Sequence, residues 1–166
     1  GTYTISISNE TPSITPSSNY NIEFNYQGPE IYRSYINDSA TFWENVIIGD
    51  LPAVNDSVYG IIDDLIIDFR IGHIDGSGGV LGRACISEIR PDGNRLAYRG
   101  WIELDTADVE ERKRSGELPD LINHEVCHTF GWGFWDFYNL RNGYDYIGEN
   151  GLNEYRNLIN NSSVSS

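Results

Sequence analysis

The stretch His124-Glu125-Val126-Cys127-His128, continued by Thr129-Phe130-Gly131, decides how the rest of the chain is interpreted. On a helix, residues four positions apart lie on one face about one turn apart, so both imidazoles can reach one metal ion. This is the H-E-x-x-H pattern, in which two histidines hold zinc and the Glu acts as a base. The sequence therefore predicts zinc at His124 and His128, with Glu125 as the general base.

A plainer interpretation of the same residues is an amphipathic helix whose histidines are merely solvated. The chain has only three histidines, so this spacing around a Glu is a rare coincidence, although short motifs do arise by chance. Pro119 suits a first helical turn, and Gly131 can supply a left-handed residue that ends the helix. The apolar residues at helical spacing predict a buried stripe, formed by Leu118, Leu121, Ile122, Val126 and Phe130.

Length and charge limit the function classes. A chain of 166 residues suits one domain with a proper core. Its 11 basic and 25 acidic residues give a net charge of −14. This charge argues against nucleic acid and anionic membranes, and fits simple solubility, cationic partners or bound calcium. No apolar run is long enough to span a bilayer, and no signal sequence is present, so a start at Gly1 suggests a processed or engineered end.

Glycosylation sequons and cysteines bear on the compartment. An Asn- and Ser-rich chain contains some sequons by chance, but five of them suggest a secreted, glycosylated protein. They lie at Asn9, Asn37, Asn55, Asn160 and Asn161. The two cysteines, Cys85 and Cys127, would form one disulfide in an oxidising compartment or remain buried thiols.

Periodicity in the first third of the chain predicts two strands and a helix. Residues 2–8 alternate and read as a half-buried strand, followed by a Pro-, Ser- and Thr-rich tether. Residues 20–26 alternate again, with Ile22 and Phe24 facing inward. A helix is predicted over residues 30–48. Its sheet-facing residues are predicted to be Ile31, Tyr35, Phe42, Trp43, Val46 and Ile47.

The middle of the chain predicts three more strands before the motif helix. One buried strand covers residues 61–71, interrupted by Asp63, Asp64 and Asp68; the others cover residues 80–86 and 97–104. Asp105-Thr106 is a plausible cap for a short helix ending at Arg114. The fold class is therefore α+β. We divide the chain into an N-terminal strand and tether (1–19), a main region (20–135) and a short C-terminal segment with a Ser-rich tail (136–166).

Four separated stretches share the order and spacing of one known family. They are residues 43–52 (WENVIIGDLP), Ile74-Asp75-Gly76 with residues 79–84 (GVLGRA), residues 103–108 (ELDTAD), and the motif helix running on as Gly131-Trp132-Gly133. Together they resemble the leishmanolysin-like metallopeptidases, notably their small secreted bacterial members. The resemblance covers roughly residues 20–135.

The resemblance implies a metzincin-like fold and a peptidase mechanism. The fold would be a twisted mixed sheet with two long helices and an antiparallel edge strand at residues 80–86, where a polypeptide substrate lies as an added strand. His124 and His128 would hold zinc, and Glu125 would move the proton. The loop at residues 75–79 looks like a calcium-binding turn of related enzymes, with a plain Gly-rich turn as the alternative.

The chain departs from the family pattern at the third metal ligand. Phe134 stands where a third His is expected, no histidine follows His128, and the absence of methionine excludes the family's Met-turn. Zinc also accepts carboxylate oxygen, so Asp136, Glu149 and Glu154 are candidates, beside water or another chain. Two alternatives remain open. In the first, the rest of the peptidase has been cut away or lies on another chain. In the second, the chain is an inactive scaffold, an extracellular structural subunit that assembles into a polymer by exchanging the strand at residues 2–8.

Cys85 and Cys127 stand where the family usually has small residues. Two such departures close to the cleft suggest a disulfide that ties the edge strand to the motif helix. Cys127 itself is not expected to bind zinc, because it points away from the histidine face.

Overall fold

A computed structural model of the chain describes residues 20–93, 95–133, 141–143 and 145–161. The predicted N-terminal strand and tether, and Asp136, lie outside these residues. Contacts divide the chain into two compact units, Gly1–Phe130 and Gly131–Ser166. This division falls slightly before the one predicted after residue 135.

The described part of the first unit contains a four-stranded sheet, a small hairpin and three α-helices. In chain order, its elements are β1 (Ile22–Gln27), a 3-10 helix (Glu30–Tyr32), α1 (Arg33–Val46), β2 (Val54–Asp56), β3 (Gly60–Ile62), β4 (Leu65–Gly72), β5 (Gly82–Ile89), β6 (Ala97–Asp105), α2 (Val109–Ser115) and α3 (Leu118–Thr129). The predicted α+β class is confirmed.

The sheet has the strand order β1-β4-β6-β5. Strands β1, β4 and β6 run parallel, whereas β5 pairs antiparallel with β6 and lies at the edge. The register of β5 shifts between Ile86 and Ile89. A mixed sheet with an antiparallel edge strand is therefore confirmed. The edge strand begins at Gly82, two residues later than the predicted start at residue 80.

The core lies between the sheet and the helices α1 and α3. Alternation along β4 and β6 buries Leu65, Ile67 and Phe69 from one strand and Ile102 and Leu104 from the other. Burying each such side chain contributes about 1.5–3 kcal/mol. The predicted stripe on α3 is confirmed. Its buried members are Leu118, Ile122 and Val126, and Leu121 and Phe130 are partly buried against the same core.

The predicted inner face of α1 is partly wrong. Ile31 and Phe42 are 57% and 49% exposed, respectively. The buried seam instead includes Tyr32, Ile36 and Ser39. Ser39 is buried because its hydroxyl donates a 2.6 Å hydrogen bond to the Asn123 side chain on α3, and a search for apolar residues does not detect such a position.

The single strand predicted over residues 61–71 is also wrong, because the chain bends at Asp63-Asp64 between β3 and β4. Asp64 is fully buried. Its carboxylate accepts the backbone N–H groups of Asn21 at 2.7 Å and Leu51 at 2.8 Å. Arg90, also buried, donates to the Asp64 carbonyl at 2.6 Å. Buried polar groups need such partners, so this acid joins two loops rather than lying within a strand.

Asp105 organises the Gly-rich loop, and the prediction that it caps the following helix is wrong, because Asp108 precedes the first helical residue. One of its carboxylate oxygens accepts the N–H groups of Ile74, Asp75 and Gly76 at 3.0, 2.8 and 3.0 Å, and the other accepts that of Ala107 at 2.7 Å. Helix α2 starts only at Val109. Four backbone N–H donors therefore satisfy the buried carboxylate of Asp105.

The second unit contains, among its described residues, the strands β7 (Arg141–Asn142) and β8 (Asp145–Tyr146) and the helix α4 (Glu149–Asn161). Within the described chain, no helix combines the length and the apolar character needed to cross a bilayer. Of the sequon residues, Asn37 and Asn55 are exposed on α1 and β2.

The structure does not form the predicted disulfide, since Cys85 and Cys127 are free thiols. Cys85 lies opposite Trp101 in the β5–β6 register, whereas its neighbour Ala84 lies opposite the core residue Ile102. Because side chains alternate along a strand, Cys85 points to the sheet face away from α3. A bridge to Cys127 would need a one-residue slip of the edge strand.

We therefore expect two free thiols in the native protein. Alkylation with iodoacetamide under denaturing, non-reducing conditions should add two adducts, measured by intact mass. In the folded protein, Cys127 should react slowly, because burial raises the pKa of its thiol to about 11 and only the thiolate is nucleophilic. An unmodified, oxidised pair would contradict this expectation.

Candidate metal and catalytic site

The motif lies on α3, which packs against strands β5 and β6 of the sheet and against α1. The buried stripe faces the core, so His124 is exposed and His128 is half-buried along the side of the helix. The Ser39–Asn123 hydrogen bond fixes the helix just before the motif. At its end, the Phe130 ring packs edge-on against Trp43, with centroids 5.2 Å apart.

The two imidazoles converge on one point. The Nε2 atoms of His124 and His128 lie 3.1 Å apart, with the rings nearly perpendicular at 85°. Zinc–nitrogen bonds are about 2.0–2.1 Å long, so one zinc ion can contact both nitrogens at this separation. The same distance also permits a hydrogen bond between the rings when one of them is the donor. Two independently solvated histidines would not need to converge in this way.

Glu125 lies beside the histidines on the buried side of the helix. Its side chain is 4% exposed. Within the described chain, no hydrogen bond reaches its carboxylate. Burial raises the pKa of the Glu125 carboxyl, and positive charge on His124 and His128 opposes this rise. A buried carboxylate with unused acceptor capacity is suited to taking up a proton from a nearby group.

The edge strand approaches Glu125 at Gly82, a residue that the sequence analysis did not single out. A Cβ atom built on Gly82 would lie 2.9 Å from the Glu125 Oε1 atom. Gly82 is the first residue of β5 but lies inside the strand predicted over residues 80–86, and a glycine inside a strand often marks such a close approach. The site is therefore bordered by the outermost strand of the sheet.

The predicted third ligands lie either in a different compact unit from the motif or outside the described residues. His124, Glu125 and His128 belong to the first unit. Glu149 and Glu154 are exposed residues of α4 in the second unit. Asp136 lies outside the described residues, so the identity of the third ligand stays a prediction.

The carboxylates around the 75–79 loop are used by the backbone. Asp75 accepts the N–H of Val80 at 2.9 Å, and Asp108 accepts that of Gly78 at 2.8 Å. The other oxygen of Asp108, Oδ2, is buried without a hydrogen-bond partner among the described residues, and both the calcium site and the plain Gly-rich turn stay predictions. In the described chain, one group of three acids is close enough to share a cation, namely Asp50, Asp63 and Asp64, but Asp64 already bridges two loops.

No family model matches the chain, and comparisons with curated proteins and with solved structures find no match either. The resemblance to leishmanolysin-like peptidases therefore stays a prediction that rests on the quoted stretches.

Proposed function

We propose that this protein is a zinc-dependent endopeptidase. The observation that carries the proposal is the convergence of His124 and His128, whose Nε2 atoms lie 3.1 Å apart beside a buried Glu125. Two neutral imidazoles are donors that zinc accepts, and a nearby carboxylate outside the metal shell can act as the general base. The antiparallel edge strand next to this group supplies a place for an extended substrate.

The residues divide the work between binding the metal and moving protons. His124 and His128 would hold the zinc ion, which would supply Lewis-acid chemistry at the scissile carbonyl and at water. Glu125 takes a proton from the attacking water and later delivers it to the departing amine nitrogen. Its low exposure supports this role, because a desolvated carboxylate is a stronger base than a solvated one.

The substrate proposed is an extended polypeptide that adds to β5. Within the described residues, β5 has a neighbouring strand on one side only, so its outer N–H and C=O groups are available for pairing. Backbone pairing of this kind supplies affinity, while side-chain pockets supply selectivity.

We further propose an extracellular location, which the exposed sequons at Asn37 and Asn55 support.

The test is zinc content measured by elemental analysis on protein purified without chelator or added metal. Wild type should hold one zinc per chain and hydrolyse fluorescein-labelled casein, and o-phenanthroline should stop the hydrolysis. His128→Ala should lose both zinc and activity. His73→Ala is the matched control, since His73 is exposed and lies outside the motif; it should keep both.

Absence of zinc from wild type, or casein hydrolysis that survives His128→Ala, would contradict the proposal. Absence of zinc would favour the alternative proposal, an inactive scaffold that self-assembles. That alternative requires the chain to change from an assembly to a monomer when residues 1–10 are removed, which light scattering measures. If zinc is present, single substitutions of Asp136, Glu149 and Glu154 will test whether one of these carboxylates is the third ligand, since loss of zinc is expected only for a residue that binds it.

A further inference from the structure

Gly82 lies where the edge strand meets the motif helix. A Cβ atom at this position would be 2.9 Å from Glu125 Oε1, 3.1 Å from its Cδ and 2.8 Å from the Leu104 side chain. A distance below about 3 Å between a Cβ atom and these side-chain atoms is a steric clash, so one of the side chains or the strand would have to move. The backbone of Gly82 does not have a positive φ, so space, not conformation, excludes a side chain here.

The two neighbours of Gly82 differ in how easily they can move. Leu104 is 1% exposed and belongs to the core. Glu125 is almost as buried, and its side chain is the more mobile end of the contact. A methyl group on residue 82 would therefore push the Glu125 carboxylate away from the edge strand.

A second glycine lets the same helix approach the next strand. A Cβ atom on Gly100 of β6 would lie 2.8 Å from the Thr129 Cβ atom, and Thr129 is fully buried. Glu125 and Thr129 are one helical turn apart. The helix therefore contacts the sheet at two positions without side chains, and the contact at Gly82 is the one that involves the proposed base.

We propose that Gly82 is a positioning residue for Glu125, holding its carboxylate against the strand that would receive the substrate. The proposal rests on the proposed peptidase function. Gly82 acts through the direction of the Glu125 side chain and leaves metal binding by His124 and His128 unchanged.

The test compares Gly82→Ala with Gly72→Ala. Gly72 is a matched control, because a Cβ atom there would lie 2.6 Å from a carboxylate oxygen of Glu103, whose partners Arg70 and Arg83 lie away from the motif. Gly82→Ala should keep one zinc per chain and lower kcat for a quenched fluorescent peptide by about 10²-fold. Its KM should stay within about twofold, since the β5 backbone is unchanged. Gly72→Ala should keep both constants.

A chemical readout separates this inference from the peptidase proposal. Carbodiimide with glycine ethyl ester labels accessible carboxyl groups, and peptide mass spectrometry locates the label. Glu125 should be protected in wild type and Gly72→Ala, and labelled several-fold more in Gly82→Ala. Wild type that cleaves no peptide contradicts the peptidase proposal. An unchanged kcat, or unchanged protection of Glu125 in Gly82→Ala, overturns the role of Gly82.

A double-mutant cycle covers the case in which Gly82→Ala folds poorly. Glu125→Asp shortens the acid and makes room for the methyl group. Gly82→Ala should therefore lower the melting temperature less in the Glu125→Asp background than in wild type, because residues in contact are coupled. Equal decreases in the two backgrounds would overturn the proposed contact.

Discussion

Glu125→Gln is expected to lower peptide hydrolysis by about 10²–10⁴-fold while the protein keeps one zinc per chain. A general base contributes a factor of this size, and the amide that replaces the carboxylate cannot accept the proton. The measurement is kcat and zinc content on the same preparation. Stability should not fall, because Gln removes a carboxylate that is 4% exposed and has no hydrogen-bond donor in the described chain.

The control for this substitution is Asp120→Asn on the same helix. Asp120 is exposed in the first turn of α3, so the variant makes the same chemical change away from the site and should keep full activity. Hydrolysis that persists in Glu125→Gln at the wild-type rate would assign the proton transfer to another group. Loss of zinc in Glu125→Gln would show that the carboxylate binds the metal.

Asp105→Asn is expected to cause the largest loss of stability among conservative polar substitutions in the described chain. The carboxylate accepts four backbone N–H groups, and hydrogen bonds to a charged acceptor are stronger than neutral ones. The amide presents an NH₂ group to some of these donors. We expect the melting temperature to fall by roughly 10 °C, measured by circular dichroism.

The pH dependence tests the same contact. The N–H groups of Ala107, Gly76 and Asp75 hold the pKa of the Asp105 carboxyl far below its usual range. An acid with a depressed pKa in the folded state stabilises the fold above its unfolded pKa of about 3.9, and this stabilisation is lost as pH falls below that value. The free energy of unfolding of wild type should therefore decrease as the pH falls below about 4. That of Asp105→Asn should decrease less over the same pH range.

Asp108→Asn is the control, because Asp108 accepts one N–H from the same loop, that of Gly78. Its change in melting temperature should be small beside that of Asp105→Asn. Equal effects of the two substitutions would mean that the four donors to Asp105 are satisfied by water once the carboxylate is replaced.

Local periodicity predicted the elements that pack by apolar burial. Leu118, Ile122 and Val126 recur at helical spacing, and they are the buried face of α3. The sequence also placed His124 and His128 on one side of that helix, because i,i+4 spacing is a property of the helix itself. The α+β class followed from the order of such elements, whereas the antiparallel edge strand was implied by the family resemblance.

Features that depend on distant partners were not predictable from periodicity. Ser39 is buried by a hydrogen bond to a residue on another helix, and Asp64 by donors from two loops. The same holds for Asp105, whose carboxylate accepts hydrogen bonds from loop residues that lie 29–31 positions earlier in the chain. Each polar residue looks like a surface group in sequence until the fold supplies its partner.

In the candidate site, too, the residues defined by local spacing were predictable and the residue defined by a distant contact was not. The motif identified the two histidines and the acid, since all three lie within one turn of helix. Gly82 was missed because its role depends on β5 lying against α3, a contact across the fold. Its place inside the predicted strand at residues 80–86 indicated a close approach, but not which residue would approach it.

The irregular register of β5 limits how copies of the protein can aggregate. A long, straight, unpaired strand edge invites pairing with the same edge of another molecule, which leads to fibrils. In β5 the register shifts after Ile86, so the regular ladder covers residues 82–86 of an eight-residue strand, about 17 Å at about 3.4 Å per residue. Arg83 and Glu88 place charges on this edge. A short peptide can pair along the regular part, whereas a continuous intermolecular sheet would be interrupted by the bulge.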